Sequence, residues 1–386
     1  MKKMKVAIIG MGYIGKCHID ALRRIKNVEI AAVADAVEFL AKAAAEEYGI
    51  PHWYTDIEPI LNDPEIVAVH NCTPNHMHTA INERVIRSGK HIFSEKPLAM
   101  NSQESEALLR LLKETPDVVA GVNYCYRMYP LMLETKKRIA AGEIGAPRLV
   151  HGSYLQDWML YDTDYNWRCE RKMAGISRCV ADIGQHWIDL AQTVTGSRIT
   201  EVCADFSTVH PTRKKPVKAS GTFSKTNLSE GYEEVAIDTE DYAGVLVRFE
   251  NGAKGAFECS QVSAGRKCFI DIEVNGETGS FHWNHETPDR MWKGHRDRQN
   301  EHIMRNPLLV PAGVEGYTSL GAGHSEGWND AFKNGMEAFY NFITSGKKQA
   351  DCPCDFATFQ DAHWIMKITE AIVKSNEERR WIKVDG

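Results

Sequence analysis

No stretch of this 386-residue chain is apolar for long enough to cross a bilayer, a task that takes about 20 residues. No membrane partner is expected. Positive charge is not in excess either: lysine and arginine total 46 against 52 aspartates and glutamates, a formal net charge of −6. The one short basic run, Arg213-Lys214-Lys215, reads as a solvated loop, and the balance argues against a nucleic-acid partner. Paired cysteine motifs are missing as well. Cys17, Cys72, Cys125, Cys169, Cys179, Cys203, Cys259 and Cys268 are dispersed, and Cys352-Pro353-Cys354 lacks the second pair that a zinc site needs. Reduced thiols in a cytoplasmic protein are the expectation. Lys2, Lys3 and Lys5 precede an apolar run in the manner of a secretory leader, but that run already reads as a first strand, so no export signal is expected. There is no internal repeat and no low-complexity tract.

What is present is an ordinary globular composition, 43% hydrophobic and 25% charged. The length exceeds what one hydrophobic core serves, so two domains are expected.

The most informative segment is the start. Val6-Ala7-Ile8-Ile9 runs into Gly10-Met11-Gly12-Tyr13-Ile14-Gly15 and then a helical pattern. Strand, glycine turn and helix in that order hold a dinucleotide pyrophosphate. Gly10 permits the turn, Gly12 lets backbone amides approach phosphate, and Gly15 lets the helix pack closely, its N-terminus facing the anion. A second apolar run, 29–34, ends at Asp35, 20 residues beyond Gly15. That spacing suits a carboxylate hydrogen-bonded to the adenosine ribose. Ala36 and Val37 offer no cation for a 2′-phosphate, so the expected cofactor is NAD in preference to NADP.

Strand and helix patterns alternate to about residue 122, with helices over 18–26, 36–48 and 102–113, the last with Ser102 as its cap. Such alternation predicts an α/β Rossmann domain with a doubly wound parallel sheet over residues 1–125. Beyond it, Glu250-Asn251-Gly252 and Val274-Asn275-Gly276 signal hairpins joining strands 242–249, 253–260, 269–274 and 280–283. Residues 126–386 are therefore expected to form an α+β domain on a mostly antiparallel sheet, with helices near 182–195, 328–344 and 356–376.

Titratable residues at the carboxyl ends of strands come next, because open α/β sheets bind ligands there. Glu95-Lys96-Pro97 follows the strand 91–94, and Asp182 and His186 lie four apart on a predicted helix. Lysine, aspartate and histidine together can bind a hydroxyl, orient it and remove its proton while hydride leaves the same carbon, with no metal.

Thr73-Pro74-Asn75-His76-Met77-His78, Glu95-Lys96-Pro97, Asn123 with Arg127, and Asp182 through His186 resemble, across nearly the whole chain, the glucose–fructose oxidoreductase, inositol dehydrogenase and rhizopine catabolism (Gfo/Idh/MocA) family. The resemblance implies that Lys96 lies between nicotinamide and substrate hydroxyl, that His186 is the general acid/base, and that Asp182 orients substrate or catalytic groups. It implies that Thr73, Pro74, Asn75, His78, Glu95 and Arg127 join Gly10, Gly12, Tyr13, Ile14, Gly15 and Asp35 around the cofactor. It also implies a cis Lys96–Pro97 bond, an open C-terminal sheet that shapes a sugar pocket, and a homodimer or homotetramer.

The chain departs from many relatives just before Asp182, where it reads Ala174-Gly175-Ile176-Ser177-Arg178 instead of a glycine-rich stretch. Arg178 is thus a candidate for substrate binding or for a supporting salt bridge. Tyr154, Trp158, Trp167 and Arg168, with Gln156, Asp157 and Tyr165, form an aromatic and polar set suited to a sugar face. His324 is a further candidate, whereas His282 and His285 read as surface or loop residues. The expected activity is oxidation of a secondary hydroxyl of a sugar, sugar derivative or cyclic polyol. Two alternatives stay open: a retained cofactor serving net non-redox cleavage, and a regulator that senses the nucleotide without turnover.

Overall fold

The structure, a computed structural model, describes residues 3–217, 229 and 231–385. It divides into two compact units, Met1–Cys125 with Phe332–Met366, and Tyr126–Ala331 with Lys367–Gly386.

In the first unit seven strands lie in the order Ala357–Thr358, Ala120–Val122, His91–Ser94, Ile66–Asn71, Met4–Ile9, Val28–Ala34, His52–Tyr54. All pairs are parallel except the first. The central strands are apolar and buried along most of their length, as expected where helices cover both faces of a parallel sheet. Helix Tyr13–Arg23 begins inside the glycine motif, five residues earlier than the pattern predicts. Helix Glu38–Tyr48 begins two residues later. Helix Ser102–Glu114 is capped by Asn101, whose side chain accepts from the Glu104 amide at 2.9 Å, so the cap precedes the expected Ser102.

The expected boundary after residue 125 coincides with the edge of this unit, but residues 332–366 also belong to it, contrary to a single cut. Ala357–Thr358 extends the sheet at its edge, and Phe339 packs on Phe93 with ring centroids 5.2 Å apart. Gly121 makes the room: a Cβ there would lie 2.8 Å from the Phe93 ring and 3.0 Å from Phe356. Burying such rings contributes about 2–3 kcal/mol each.

The second unit is built on nine strands: Glu301–Met304, Arg290–Gly294, Ser280–Asn284, Phe269–Asn275, Leu149–Leu155, Lys254–Ser260, Tyr242–Phe249, Ile199–Ser207, Ile382–Lys383. Every pair is antiparallel except Lys254–Ser260 with Leu149–Leu155. The first hairpin turns through Gly252 at φ +88°. The second closes over residues 276–279, and Gly276 serves close approach instead of a left-handed turn, since a Cβ would lie 2.1 Å from the Ile144 carbonyl oxygen. Helix Gln185–Thr195 packs on the sheet through Trp187, stacked on Phe257 at 4.5 Å with its Nε1 donating to the Asp271 carbonyl. Among the described residues no helix is long and apolar enough to cross a membrane, and all ten cysteines are free thiols.

Burial pushes the His70, His91 and His285 imidazoles below their usual value. The unfolded chain then binds protons that the native state does not, so stability is complete above pH ~6.5 and falls as pH drops from there toward the folded pKa values. Melting temperature measured from pH 7.5 down to 5.5 is expected to decline steadily, with each histidine contributing at most about 1.4 kcal/mol per pH unit. A flat profile would contradict neutral burial.

Candidate active site

In the first unit the strand register aligns the candidate residues. Ile9 pairs with Ala34 and Asn71, Asn71 with Ser94, and Ser94 with Val122. The residues that follow, Gly10, Asp35, Cys72-Thr73, Glu95-Lys96 and Asn123, therefore emerge side by side at the carboxyl end of the sheet. Gly10 has φ +95°, and a Cβ there would sit 2.6 Å from the Cys72 carbonyl. A Cβ on Gly15 would sit 2.0 Å from the Gly10 oxygen, while one on Gly12 would meet nothing within 4 Å. The turn is thus closed on its protein side and open over Gly12, a cradle that fits a pyrophosphate. Asp35 accepts from the Met11 amide at 2.7 Å and the Val37 amide at 2.8 Å, which ties the turn to the neighbouring strand end and leaves further lone pairs for ribose hydroxyls. Tyr13 is exposed and Ile14 half-buried beside it.

The Thr73 loop is braced from below. The Thr73 hydroxyl donates to Asn71 Oδ1 at 2.7 Å, Asn71 to Asn82 at 2.8 Å, and Asn82 to the Ser94 hydroxyl at 3.0 Å. His78 contacts the Pro97 carbonyl at 2.6 Å and the Thr73 carbonyl at 2.7 Å, joining the loops that carry Thr73 and Lys96. Pro74 and Asn75 continue that loop into a short 3-10 turn. The Lys96–Pro97 bond is cis. Glu95 is buried and accepts from His18 Nε2 at 3.0 Å, Asn123 Nδ2 at 2.6 Å and the Lys96 amide at 3.2 Å. Burial alone would raise its pKa, yet His18, Asn123 and Lys96 outweigh it and hold the carboxyl below its usual value.

The second unit presents Asp182 and His186 differently from the expected regular helix. Val180–Gly184 is a π-helical turn that leads into Gln185–Thr195. Asp182 is held by Arg168 Nε at 3.1 Å and Gln261 Nε2 at 2.8 Å. The His186 ring meets Tyr126 edge-on at 5.0 Å and lies 6.1 Å from Tyr154. The Tyr126 and Tyr154 hydroxyls are 2.7 Å apart, and Cys268 Sγ sits 3.1 and 3.2 Å from them. Trp158 Nε1 donates to Gln156 at 2.9 Å, and the Arg168 guanidinium lies over the Trp167 ring at 4.3 Å.

Three side chains have partners that the sequence does not show. Arg127, expected among the cofactor ligands, is buried in the second unit with its guanidinium on Asp189, Nε at 2.9 Å. Arg178, a candidate for substrate, is 1% exposed and paired with Asp241, which Arg213 also contacts at 2.6 Å. A desolvated guanidinium demands a counter-charge, and these carboxylates supply it. His285, read as a surface residue, is half-buried, bonded to the Cys268 carbonyl at 2.8 Å and edge-on to Tyr126 at 5.5 Å; His282 is half-buried within a strand. His324 is exposed in a loop whose backbone carbonyl is held by Arg305.

The sequence reading missed His18, Gln261, Tyr126, Cys268 and His285 as site residues. His18 carried a usable signal: it lies on the buried face of its helix with Gly15, Ile19 and Leu22, where a histidine needs a buried partner. The others come together only through strand pairing.

Residues 4–124 match the profile of the oxidoreductase family with an NAD-binding Rossmann fold, and residues 132–282 that of the GFO/IDH/MocA C-terminal domain. Levoglucosan dehydrogenase of Pseudarthrobacter phenanthrenivorans is 30% identical over 100% of this chain and 99% of its own length. The chain belongs to the Gfo/Idh/MocA family of oxidoreductases. Within it, scyllo-inositol 2-dehydrogenase (NAD(+)) of Bacillus subtilis is 29% identical over 72% of this chain and 73% of that protein. Among solved Gfo/Idh/MocA structures, levoglucosan dehydrogenase in complex with NADH and levoglucosan covers 100% of both chains at TM-score 0.87 and 28% identity. This member therefore carries the family's NAD-binding Rossmann domain and is an oxidoreductase.

Proposed function

We propose that the protein is a dehydrogenase that uses NAD in preference to NADP and reversibly oxidises a secondary hydroxyl of an uncharged sugar, anhydrosugar or cyclic polyol to a ketone. The observation that carries this reading is charge balance. Arg127, Arg168 and Arg178 are the arginines that could clamp a substrate carboxylate, and they are matched by Asp189, Asp182 and Asp241. What is left around the Asp182 and His186 helix is hydroxyl, amide and aromatic surface, which suits a neutral polyhydroxyl ring. The names of relatives that act on levoglucosan and scyllo-inositol support the same class.

When bound, the nicotinamide supplies the hydride acceptor. Asp35 accepts from the ribose hydroxyls and disfavours a 2′-phosphate by like-charge repulsion. The Lys96 ammonium donates to the reacting oxygen and stabilises the negative charge that grows there as its proton departs. His186 takes that proton, and Asp182, fixed by Arg168 and Gln261, orients a neighbouring hydroxyl. Trp158 and Trp167 offer aromatic faces to the C–H side of the ring.

The test is nicotinamide absorbance with purified protein, either dinucleotide, and a panel of free sugars, anhydrosugars, inositols and uronic acids. NADH formation on a few related neutral polyols is expected; turnover confined to the uronic acids would overturn the charge-balance reading. Asp35→Ser is expected to weaken NAD use about 10-fold and to narrow the preference over NADP, measured as kcat/KM for each dinucleotide. An unchanged ratio would remove Asp35 from that role.

A further inference from the structure

Beneath Glu95 in the first unit lies a row of buried polar side chains that the reaction as described does not use. His18 Nε2 is 3.0 Å from Glu95 Oε1, His18 Nδ1 is 2.8 Å from His70 Nδ1, and His70 Nε2 is 2.6 Å from the Tyr340 hydroxyl. His18, His70 and Tyr340 are all fully buried. They come from the helix of the glycine motif, the fourth strand in chain order, and the helix Trp328–Thr344.

The direction of each hydrogen bond follows from the end of the row. An ionised carboxylate only accepts, so His18 Nε2 carries a hydrogen. Where His18 carries that one hydrogen, its Nδ1 accepts, so His70 Nδ1 carries the next. His70 in turn accepts at Nε2, and the Tyr340 hydroxyl donates. Every donor has an acceptor, with all hydrogens pointing toward Glu95. Glu95 Oε2 in its turn accepts the Lys96 backbone amide.

We propose that Tyr340, His70 and His18 are positioning residues: a one-directional hydrogen-bond wire that locks Glu95 as an ionised acceptor and, through the Lys96 amide, sets the placement of the Lys96 side chain. The proposal depends on the dehydrogenase reading only for the catalytic role of Lys96. The wire is long in sequence, with Tyr340 lying 270 residues beyond His70. Loss of the Tyr340 hydroxyl leaves His70 Nε2 without a donor. The carboxylate still fixes both tautomers, so the buried His70 Nε2 becomes an unpaired acceptor, the two rings lose their anchor, and the bond that His18 donates to Glu95 weakens. The ionisable groups surrounding Glu95 are His18 and Cys17 on the first helix, Cys72 and His78 around the Thr73 loop, and Lys96; those facing His70 are His18 and Tyr340.

Tyr340→Phe preserves the ring and removes only the hydroxyl, and Phe332→Leu, which trims a ring packed 5.1 Å from His18 without touching the wire's hydrogen bonds, is the packing control. In the full-length protein, histidine ring nitrogen NMR is expected to show His18 as the Nε2–H and His70 as the Nδ1–H tautomer, and Tyr340→Phe to keep both tautomers and shift the His70 Nε2 resonance that loses its donor. Tyr340→Phe is further expected to lower kcat about 5-fold, leave KM for NAD within about 2-fold, and move the acid limb of the kcat profile upward. Phe332→Leu is expected to lower melting temperature and leave the acid limb in place. Other tautomers in the wild type, or an acid limb that Tyr340→Phe leaves unmoved, overturn the wire. Absence of turnover on every substrate, with the tautomers as stated and the His70 Nε2 resonance shifted by Tyr340→Phe, overturns the dehydrogenase reading and upholds the wire.

Discussion

Lys96→Ala is expected to yield a folded protein that binds NADH normally and turns substrate over about 1,000-fold more slowly, a loss that falls on kcat and not on cofactor affinity. The side chain is half-buried at the carboxyl end of its strand, while the structural bonds of that loop run through its backbone: the Lys96 amide to Glu95, and the Pro97 carbonyl to His78. Alanine keeps those bonds. On the proposed mechanism it removes the ammonium that opposes charge on the reacting oxygen, and one such donor in a water-poor site is worth about 3–4 kcal/mol. Stopped-flow turnover with fluorescence titration of NADH separates the two quantities. Turnover within 3-fold of the wild type, roughly 0.6 kcal/mol, would remove Lys96 from the chemistry.

Asp241→Ala is expected to produce the largest stability loss among single substitutions in the second unit, about 3–5 kcal/mol. Two fully buried guanidinia, Arg178 and Arg213, share its Oδ1, and its Oδ2 accepts the Val209 amide at 2.8 Å. Burial alone would raise the Asp241 pKa, but Arg178 and Arg213 overcome it and hold the carboxyl low. Removing the carboxylate strands both cations away from water. Arg213 also donates to the Met159, Tyr161 and Asp164 carbonyls, so the loop leading to Trp167 and Arg168 loosens with it. Glu240, the preceding residue, accepts the Arg178 and Val180 amides at the start of the turn that bears Asp182. Thermal unfolding of Asp241→Ala is expected to shift down by on the order of 10 °C. The triple change Arg178→Met, Arg213→Met, Asp241→Leu should recover only the part due to uncompensated charge, because the Met159, Tyr161 and Asp164 carbonyls and the Val209 amide still lose their partners. A single substitution that melts with the wild type would show the cluster to be solvated.

The first unit was the more legible because its chemistry is local in sequence. The glycine turn, its strand and its helix are contiguous, and the distance to Asp35 is set by one helix and one strand. Glu95-Lys96 was legible for a related reason: it directly follows a strand, and the ends of parallel strands converge. Lys96, Asp182 and His186 could be nominated, but not their partners. The π-helical turn under Asp182 has no residue signature. Arg127 looked like a cofactor ligand, and Arg178 like a substrate ligand or a salt-bridge partner, because a sequence shows the cation and not the carboxylate beside it, here 62 residues away for Arg127 and 63 for Arg178.

The sequence by itself determined the parallel sheet, the nucleotide turn, the carboxylate at the second strand end and the neutral-to-acidic surface, because each depends on residue type and short spacing. Tertiary structure alone decided that 332–366 completes the first unit, which arginines are taken by carboxylates, and which histidines are buried. Those outcomes depend on the cost of taking charge and hydrogen-bonding groups out of water, a cost that exists only once distant segments have packed together.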